Sequence, residues 1–196
     1  MPSFRLQGSN DAHGRIFIAL GANRAYRRAT PVENLNSALA ALDAAEVTVT
    51  ATSRAWRSPA WPDPSDPPFI NGCAALRTRL GAENLMDRLH EIEKAFGRTR
   101  SVRNAPRSMD LDLIDYRGVV RTSERDNALI LPHPRAVQRA FVLLPLKDIA
   151  PDWREPGTGR DLDTLIARLP RTDREACQPV GDLLCAAANG LKRPPE

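Results

Sequence analysis

Two stretches of helical periodicity, each set between short β-prone runs, restrict this chain to few folds. The first starts near Pro31. Thr30 is placed to cap it, Glu33 stands at the third helical position to complete a capping box, and Leu35, Leu39 and Leu42 recur at helical spacing. The second covers residues 82–96, where Leu85, Leu89, Ile92 and Phe96 form one stripe and Gly97 ends it. Residues 15–20 (RIFIAL) precede the first helix as a strand that runs into the turn Gly21-Ala22-Asn23. Residues 47–57 (VTVTATSRAWR) and 69–80 (FINGCAALRTRL) read as strands between the helices, and residues 109–116 as a strand after the second. A helix with one apolar stripe must bury it against another layer. The order β-α-β-β-α-β therefore predicts an α+β protein: a ferredoxin-like α/β sandwich, an antiparallel sheet with helices on one face and extra flanking strands and helices.

The connections have their own character. Residues 58–68 hold Pro59, Pro62, Pro64, Pro67 and Pro68, which no helix or central strand tolerates, so they form a loop. Loops of that length inside a compact domain are often functional. Residues 98–106 carry Arg98, Arg100 and Arg103 without hydrophobic periodicity and form a second loop. Residues 119–120 and 129–131 suggest short flanking strands or a hairpin, and residues 134–149 one or two short helices broken at Pro145. At 196 residues the chain suffices for one well-buried domain. We expect residues 1–14 to be an N-terminal extension and residues 15–155 the domain. Residues 156–196 then form a C-terminal extension packing on it through Leu162, Leu165, Ile166 and Leu169.

Composition narrows the function. No run approaches the ~18 apolar residues of a membrane span, and residues 1–15 lack the apolar core of a secretory signal. A cytoplasmic enzyme without a membrane partner is expected. Cys73, Cys177 and Cys185 are odd in number and lack CxxC spacing, which argues against a disulfide framework or a structural zinc site. The net charge of +4 mildly favours an anionic partner.

The segment PRSMDLDLI (106–114) carries the chemistry. Asp110 and Asp112, two apart on a strand, project from one face while Leu111 and Leu113 point to the other. A bare DxD reads more often as a solvated strand face. Here Arg107 stands three residues before Asp110, and Arg98 and Arg100 lie in the preceding loop. Arginine's planar fork suits phosphate oxygens, and magnesium combines one or two carboxylates with substrate phosphates. Together these point to two Mg2+ ions and phosphoryl transfer from ATP. His90 and Glu93 share a face of the second helix, one turn apart. The string HEIEK is not a zinc site, because Lys94 occupies the place of the second histidine of HExxH. His133 sits between Pro132 and Pro134 with Arg139 following, and can serve either structure or a phosphate. Neither GxxxxGK[ST] nor a helix-opening GxGxxG is present. Trp61, Phe69, Asn71 and Phe141 offer aromatic faces and an amide for a flat heterocycle, although each alone reads as core.

Taken in order, IALGAN (18–23), RSPAW…PPFIN (57–71), IEKAFGRTR (92–100), APRSMDLDLI (105–114) and LPHPRAVQRAFVLLPLKDIAP (131–151) resemble one family, the 6-hydroxymethyl-7,8-dihydropterin pyrophosphokinases of folate biosynthesis. The resemblance covers about residues 15–155. It implies transfer of the β,γ-diphosphate of ATP to the hydroxymethyl oxygen of the pterin. It makes Asp110 and Asp112 ligands of two magnesium ions and Arg98 and Arg107 the catalytic arginines. His90, Glu93, Arg100, His133 and Arg139 fall at ATP-binding positions. Ser58, Pro59, Trp61, Phe69, Asn71 and Phe141 line the pterin pocket, with Phe69 and Phe141 sandwiching the ring. Loops around 21–29, 59–68 and 97–107 close over the substrates. Small molecules are then the partners, with no nucleic acid and no obligate protein partner.

Two other readings compete. A magnesium-dependent nucleotidyltransferase also uses DxD on a ferredoxin-like sheet, but often with a Gly-Ser turn shortly before the carboxylates; here Gly21-Ala22 lies far upstream. An RNA-binding module on this fold needs aromatic residues on its central strands, where Asp110 and Asp112 would instead meet phosphates.

Overall fold

The computed structural model describes residues 14–44, 46–98, 107–122 and 128–184. In chain order the elements are β1 (Ile16–Ala22), α1 (Pro31–Asp43), β2 (Val47–Thr52), β3 (Arg54–Ser58), β4 (Phe69–Thr78), α2 (Ala82–Ala95) and β5 (Asp110–Tyr116). A 3-10 turn (Ala136–Gln138), α3 (Ala140–Ile149), α4 (Leu162–Arg168), α5 (Arg171–Ala176) and β6 (Gln178–Asp182) follow. The sheet runs β5-β1-β4-β3-β6, with β2 also paired to β4. Every pairing is antiparallel.

The local signals act as expected in α1. Thr30 Oγ1 accepts from the Glu33 N–H, and the Glu33 carboxylate accepts from the Thr30 N–H at 2.7 Å. Such caps are worth about 1 kcal/mol. Leu35, Leu39 and Leu42 of α1 and Leu85, Leu89 and Ile92 of α2 are buried against Ile16, Ile18, Leu20, Leu111 and Leu113 of the sheet. The stretch 47–57 is one path along the edge of β4, interrupted at Ser53. There the Ser53 Oγ accepts from the Cys73 N–H at 2.9 Å, a side chain standing in for a backbone acceptor where the ladder shifts.

Four features differ from the sequence reading. Helices lie on both faces, not one: α3, α4 and Trp153 bury Phe17, Ala19, Cys73, Ala75 and Ile114 on the side opposite α1 and α2. Pro145 does not break its helix; α3 continues through it to Ile149. The cost of proline in a helix, about 3 kcal/mol, is offset by burial of Val142, Leu143 and Leu146, each worth about 1.5–3 kcal/mol. The strand β6 has no alternating pattern and carries Pro179 and Gly181, as an exposed edge strand permits. Where short flanking strands or a hairpin were expected around 119–131, only Arg121 and Leu131 form a bridge among the described residues. No helix among the described residues is long and apolar enough to cross a membrane.

Candidate active site

The antiparallel pairing brings three chain ends together. The exit of β1, the beginning of β4 and the beginning of β5 lie side by side, since Gly21 is paired with Asn71 on one side and Asp110 on the other. Gly21 is crowded there: a Cβ would lie 3.2 Å from Asn71 Oδ1 and 3.9 Å from both Phe69 Cδ1 and Asp110 Cβ.

Asp110 and Asp112 are half-buried on one face of β5, as the alternation demands, with Leu111 and Leu113 buried on the other. Asp110 is held from two sides, by Arg98 at 2.7 Å and by Arg107 at 2.8 Å. Burial, with the Asp112 charge beside it, pushes the Asp110 carboxyl up, while Arg107 and Arg98 pull it down. Asp112 is held more loosely: Arg139 lies 3.5 Å away and His133 Nε2 4.0 Å away. His133 follows the cis Leu131–Pro132 peptide, and its N–H donates to the Ile114 carbonyl at 2.9 Å, which fixes it beside β5. Burial lowers its imidazole below the ordinary value, against the pull of Asp112, and it likewise lowers Arg139.

Glu93 reaches this cluster from the end of α2. Its carboxylate is buried, accepts the Leu111 N–H at 2.7 Å and is ion-paired with Arg98. Burial pushes its carboxyl up to about 7, although the Leu111 N–H and Arg98 favour the charged form. Arg98 thus spans Glu93 and Asp110, and links α2 to β5. His90 is half-buried one turn earlier on α2.

Beside the carboxylates lies a buried polar pair. Asn71 is buried and its Nδ2 donates to Ser58 Oγ at 2.9 Å across β3 and β4. Phe69 is half-buried at the start of β4. Phe141, on α3, has the Arg139 guanidinium 5.5 Å from its ring centre. Pro59 and Trp61, in the loop after β3, are exposed, Trp61 with 74% of its surface accessible, whereas Ser58 and Asn71 are buried. Arg100 lies outside the described residues.

Two asparagines near this cluster were not singled out from the sequence. Asn34 on α1 is buried and donates to the Arg24 carbonyl at 3.1 Å. Asn23 is buried and bonded to the backbone of Arg107 and Pro67. Only the turn signal Gly21-Ala22-Asn23 hinted at the second.

The cluster combines two neighbouring carboxylates and three guanidinium groups with a buried amide and a half-buried aromatic ring beside them. It can balance polyphosphate charge next to a heterocycle. Among the described residues no group of three or more His, Cys, Asp or Glu side chains is placed to hold a metal ion. A metal at Asp110 and Asp112 thus needs further oxygens from water or phosphate, the donor set magnesium favours.

Comparison with known proteins agrees. The family model for 7,8-dihydro-6-hydroxymethylpterin-pyrophosphokinase matches residues 17–151. The chain is 39% identical over 170 residues to the 2-amino-4-hydroxy-6-hydroxymethyldihydropteridine pyrophosphokinase of Synechocystis sp., covering 86% of this chain and 80% of that one. It is 39% identical over 157 residues to the enzyme of that name from Pseudomonas aeruginosa, covering 80% and 92%. Among solved structures, wild-type Plasmodium falciparum HPPK-DHPS with pteroate superposes with a TM-score of 0.62 at 11% identity, covering 79% of this chain and 44% of that one. That likeness speaks for the fold, and this chain spans less than half of the Plasmodium protein. The chain belongs to the 7,8-dihydro-6-hydroxymethylpterin-pyrophosphokinase family.

Proposed function

We propose that this chain transfers the β,γ-diphosphate of ATP to the hydroxymethyl oxygen of 6-hydroxymethyl-7,8-dihydropterin, giving AMP and the pterin diphosphate in folate biosynthesis. The observation that carries this reading is the meeting of Asp110 and Asp112, faced by Arg98, Arg107 and Arg139, with the Ser58–Asn71 pair at one sheet end.

In this reading the residues divide by substrate. Arg98 and Arg107 follow charge on the transferring group, which relies on fixed donors more than on covalent chemistry. His90, Glu93, Arg100, His133 and Arg139 hold the nucleotide. Ser58, Pro59, Trp61, Phe69, Asn71 and Phe141 hold the pterin, the two phenylalanines against its faces and Asn71 on its polar edge. Asp110 and Asp112 would hold two Mg2+ ions, supplying positive charge to the phosphate oxygens. The arginines that now pair with these carboxylates would turn to phosphate when substrate arrives, so the free site keeps its charge balanced. Alignment of the hydroxyl against the nucleotide accounts for much of the remaining rate.

We further place this chemistry in a domain of residues 15–155 of a cytoplasmic protein, on which the C-terminal extension 156–196 packs through its described part, 156–184; residues 185–196 lie outside the described residues. Burial of Leu162, Leu165 and Leu169 in the core shared with α3, and the pairing of β6 with β3, support that packing.

The test is incubation with Mg2+, ATP and hydroxymethyldihydropterin. AMP and pterin diphosphate should appear in equal amounts. Adenylylated pterin with release of inorganic diphosphate would sink the assignment in favour of nucleotidyl transfer.

A further inference from the structure

Asn23 carries polar contacts that the roles above leave unexplained. It is 4% exposed, at the exit of β1. Its Oδ1 accepts the Arg107 N–H at 2.8 Å, and its own N–H donates to the Arg107 carbonyl at 3.0 Å. Its Nδ2 donates to the Pro67 carbonyl at 3.0 Å. The amide fits only this way round: turned over, it would set N–H against N–H at Arg107 and oxygen against oxygen at Pro67.

The two segments it joins serve different substrates. Arg107 is ion-paired to Asp110 on the phosphate side. Pro67 lies two residues before Phe69, which opens β4 on the pterin side, within contact distance of a Cβ at Gly21. Residues 67 and 107 are 40 positions apart, and neither belongs to a strand or helix. The Asn23 side chain ties the backbones of both loops to β1. A displacement of the Arg107 backbone therefore loads the same amide that holds Pro67.

We infer that Asn23 is a positioning residue that couples the pterin subsite to the phosphate subsite, so that nucleotide binding at Arg107 tightens pterin binding through Pro67. This inference rests on the proposed function. It assigns Asn23 no contact with either substrate.

The experiment is calorimetric measurement of the pterin Kd with and without a non-hydrolysable ATP analogue and Mg2+, on the wild-type chain and on Asn23→Ala. The wild-type ratio should lie in the range of about 5–150 typical of coupled sites, and Asn23→Ala should bring it close to 1. Asn23→Asp keeps an acceptor for the Arg107 N–H and removes the donor to Pro67. It should lose the coupling while binding the nucleotide alone as the wild type does, a split that loss of general stability would not produce. A folded variant of either kind with the wild-type ratio, or a wild-type ratio of 1, overturns the inference. Failure of both variants to fold also overturns it, because Asn23 is then a requirement of the fold. A wild-type chain that binds no pterin strikes at the proposed function itself, and is distinct from one that binds pterin with an unaltered ratio.

Discussion

The two ends of β5 put the same side chain to opposite uses. At its beginning Asp110 and Asp112 are half-buried and faced by Arg98, Arg107 and Arg139. At its other end Asp115 is 1% exposed; its Oδ2 accepts from Trp153 Nε1 at 2.8 Å and its Oδ1 from the Gly118 N–H at 2.8 Å. The ladder to β1 slips by one residue between these ends, since Ile18 pairs with Leu113 and Phe17 with Asp115. Mobile cations can exchange one anion for another, so the first end suits a site that must accept phosphate. Donors fixed in a core and in a turn cannot, so the second end is architecture. An acidic residue on a strand thus acquires its role from the kind of donor it meets.

That contrast can be broken or sharpened experimentally. The largest effect is expected for Asp112→Ala, which should lower kcat roughly a thousandfold, about 4 kcal/mol of barrier, with an unchanged Tm because the side chain fills no core. Near-normal turnover would refute its role as a metal ligand. Arg107→Ala should lower kcat by roughly a hundredfold with a smaller change in KM, as for loss of one fixed donor to a charged transition state; steady-state kinetics would show it, and an unchanged kcat would leave Arg107 a loop anchor.

Asp115→Ala should behave the other way. It orphans the buried Trp153 N–H, and should cost about 2–3 kcal/mol, or roughly 5–10 °C in Tm, while the folded fraction keeps its kcat. Lost activity in fully folded protein would erase the distinction between the two ends.

The remaining effect concerns pH. Burial raises Glu93 to about 7, above its ordinary 4.5, so the folded state holds that proton more tightly than the unfolded chain. Its cost to stability is complete above pH 7 and vanishes as pH falls below 4.5, a gain of up to about 3 kcal/mol on acidification. Asp110, raised by burial, acts in the same sense. Denaturant midpoints in metal-free buffer should rise between pH 8 and pH 5. Glu93→Gln should flatten that rise; an equal slope in the variant would assign it to other groups.

Local periodicity made much of this legible. The capping box of α1, the stripe of α2 and the shared face of Asp110 and Asp112 follow from spacings of a few residues, and each is present. What the sequence hid depends on partners far along the chain. The interruption at Ser53 is set by Cys73, 20 residues away. Continuation of α3 through Pro145 depends on the sheet face it covers. The edge strand β6 exists because β3 is there to pair with it, and the contrast between Asn71 and Trp61, one buried and one exposed, comes from their places: Asn71 lies within β4, flanked by β1 and β3, and Trp61 in the loop beyond β3.

By itself, then, the sequence determined the order of elements from β1 to β5 apart from the break at Ser53, the ferredoxin-like sheet and the presence of a DxD strand next to an arginine-bearing loop. Helical and strand periods are properties of the local backbone, and they can be read without neighbours. Only the tertiary structure decided that Arg98 spans Glu93 and Asp110, that Asp115 belongs to the core, and that Asn23 joins the loops at Pro67 and Arg107. Those facts depend on which groups meet after 5 to 84 residues of chain have turned back on themselves. Burial and hydrogen bonding act through space, where spacing along the chain carries no information.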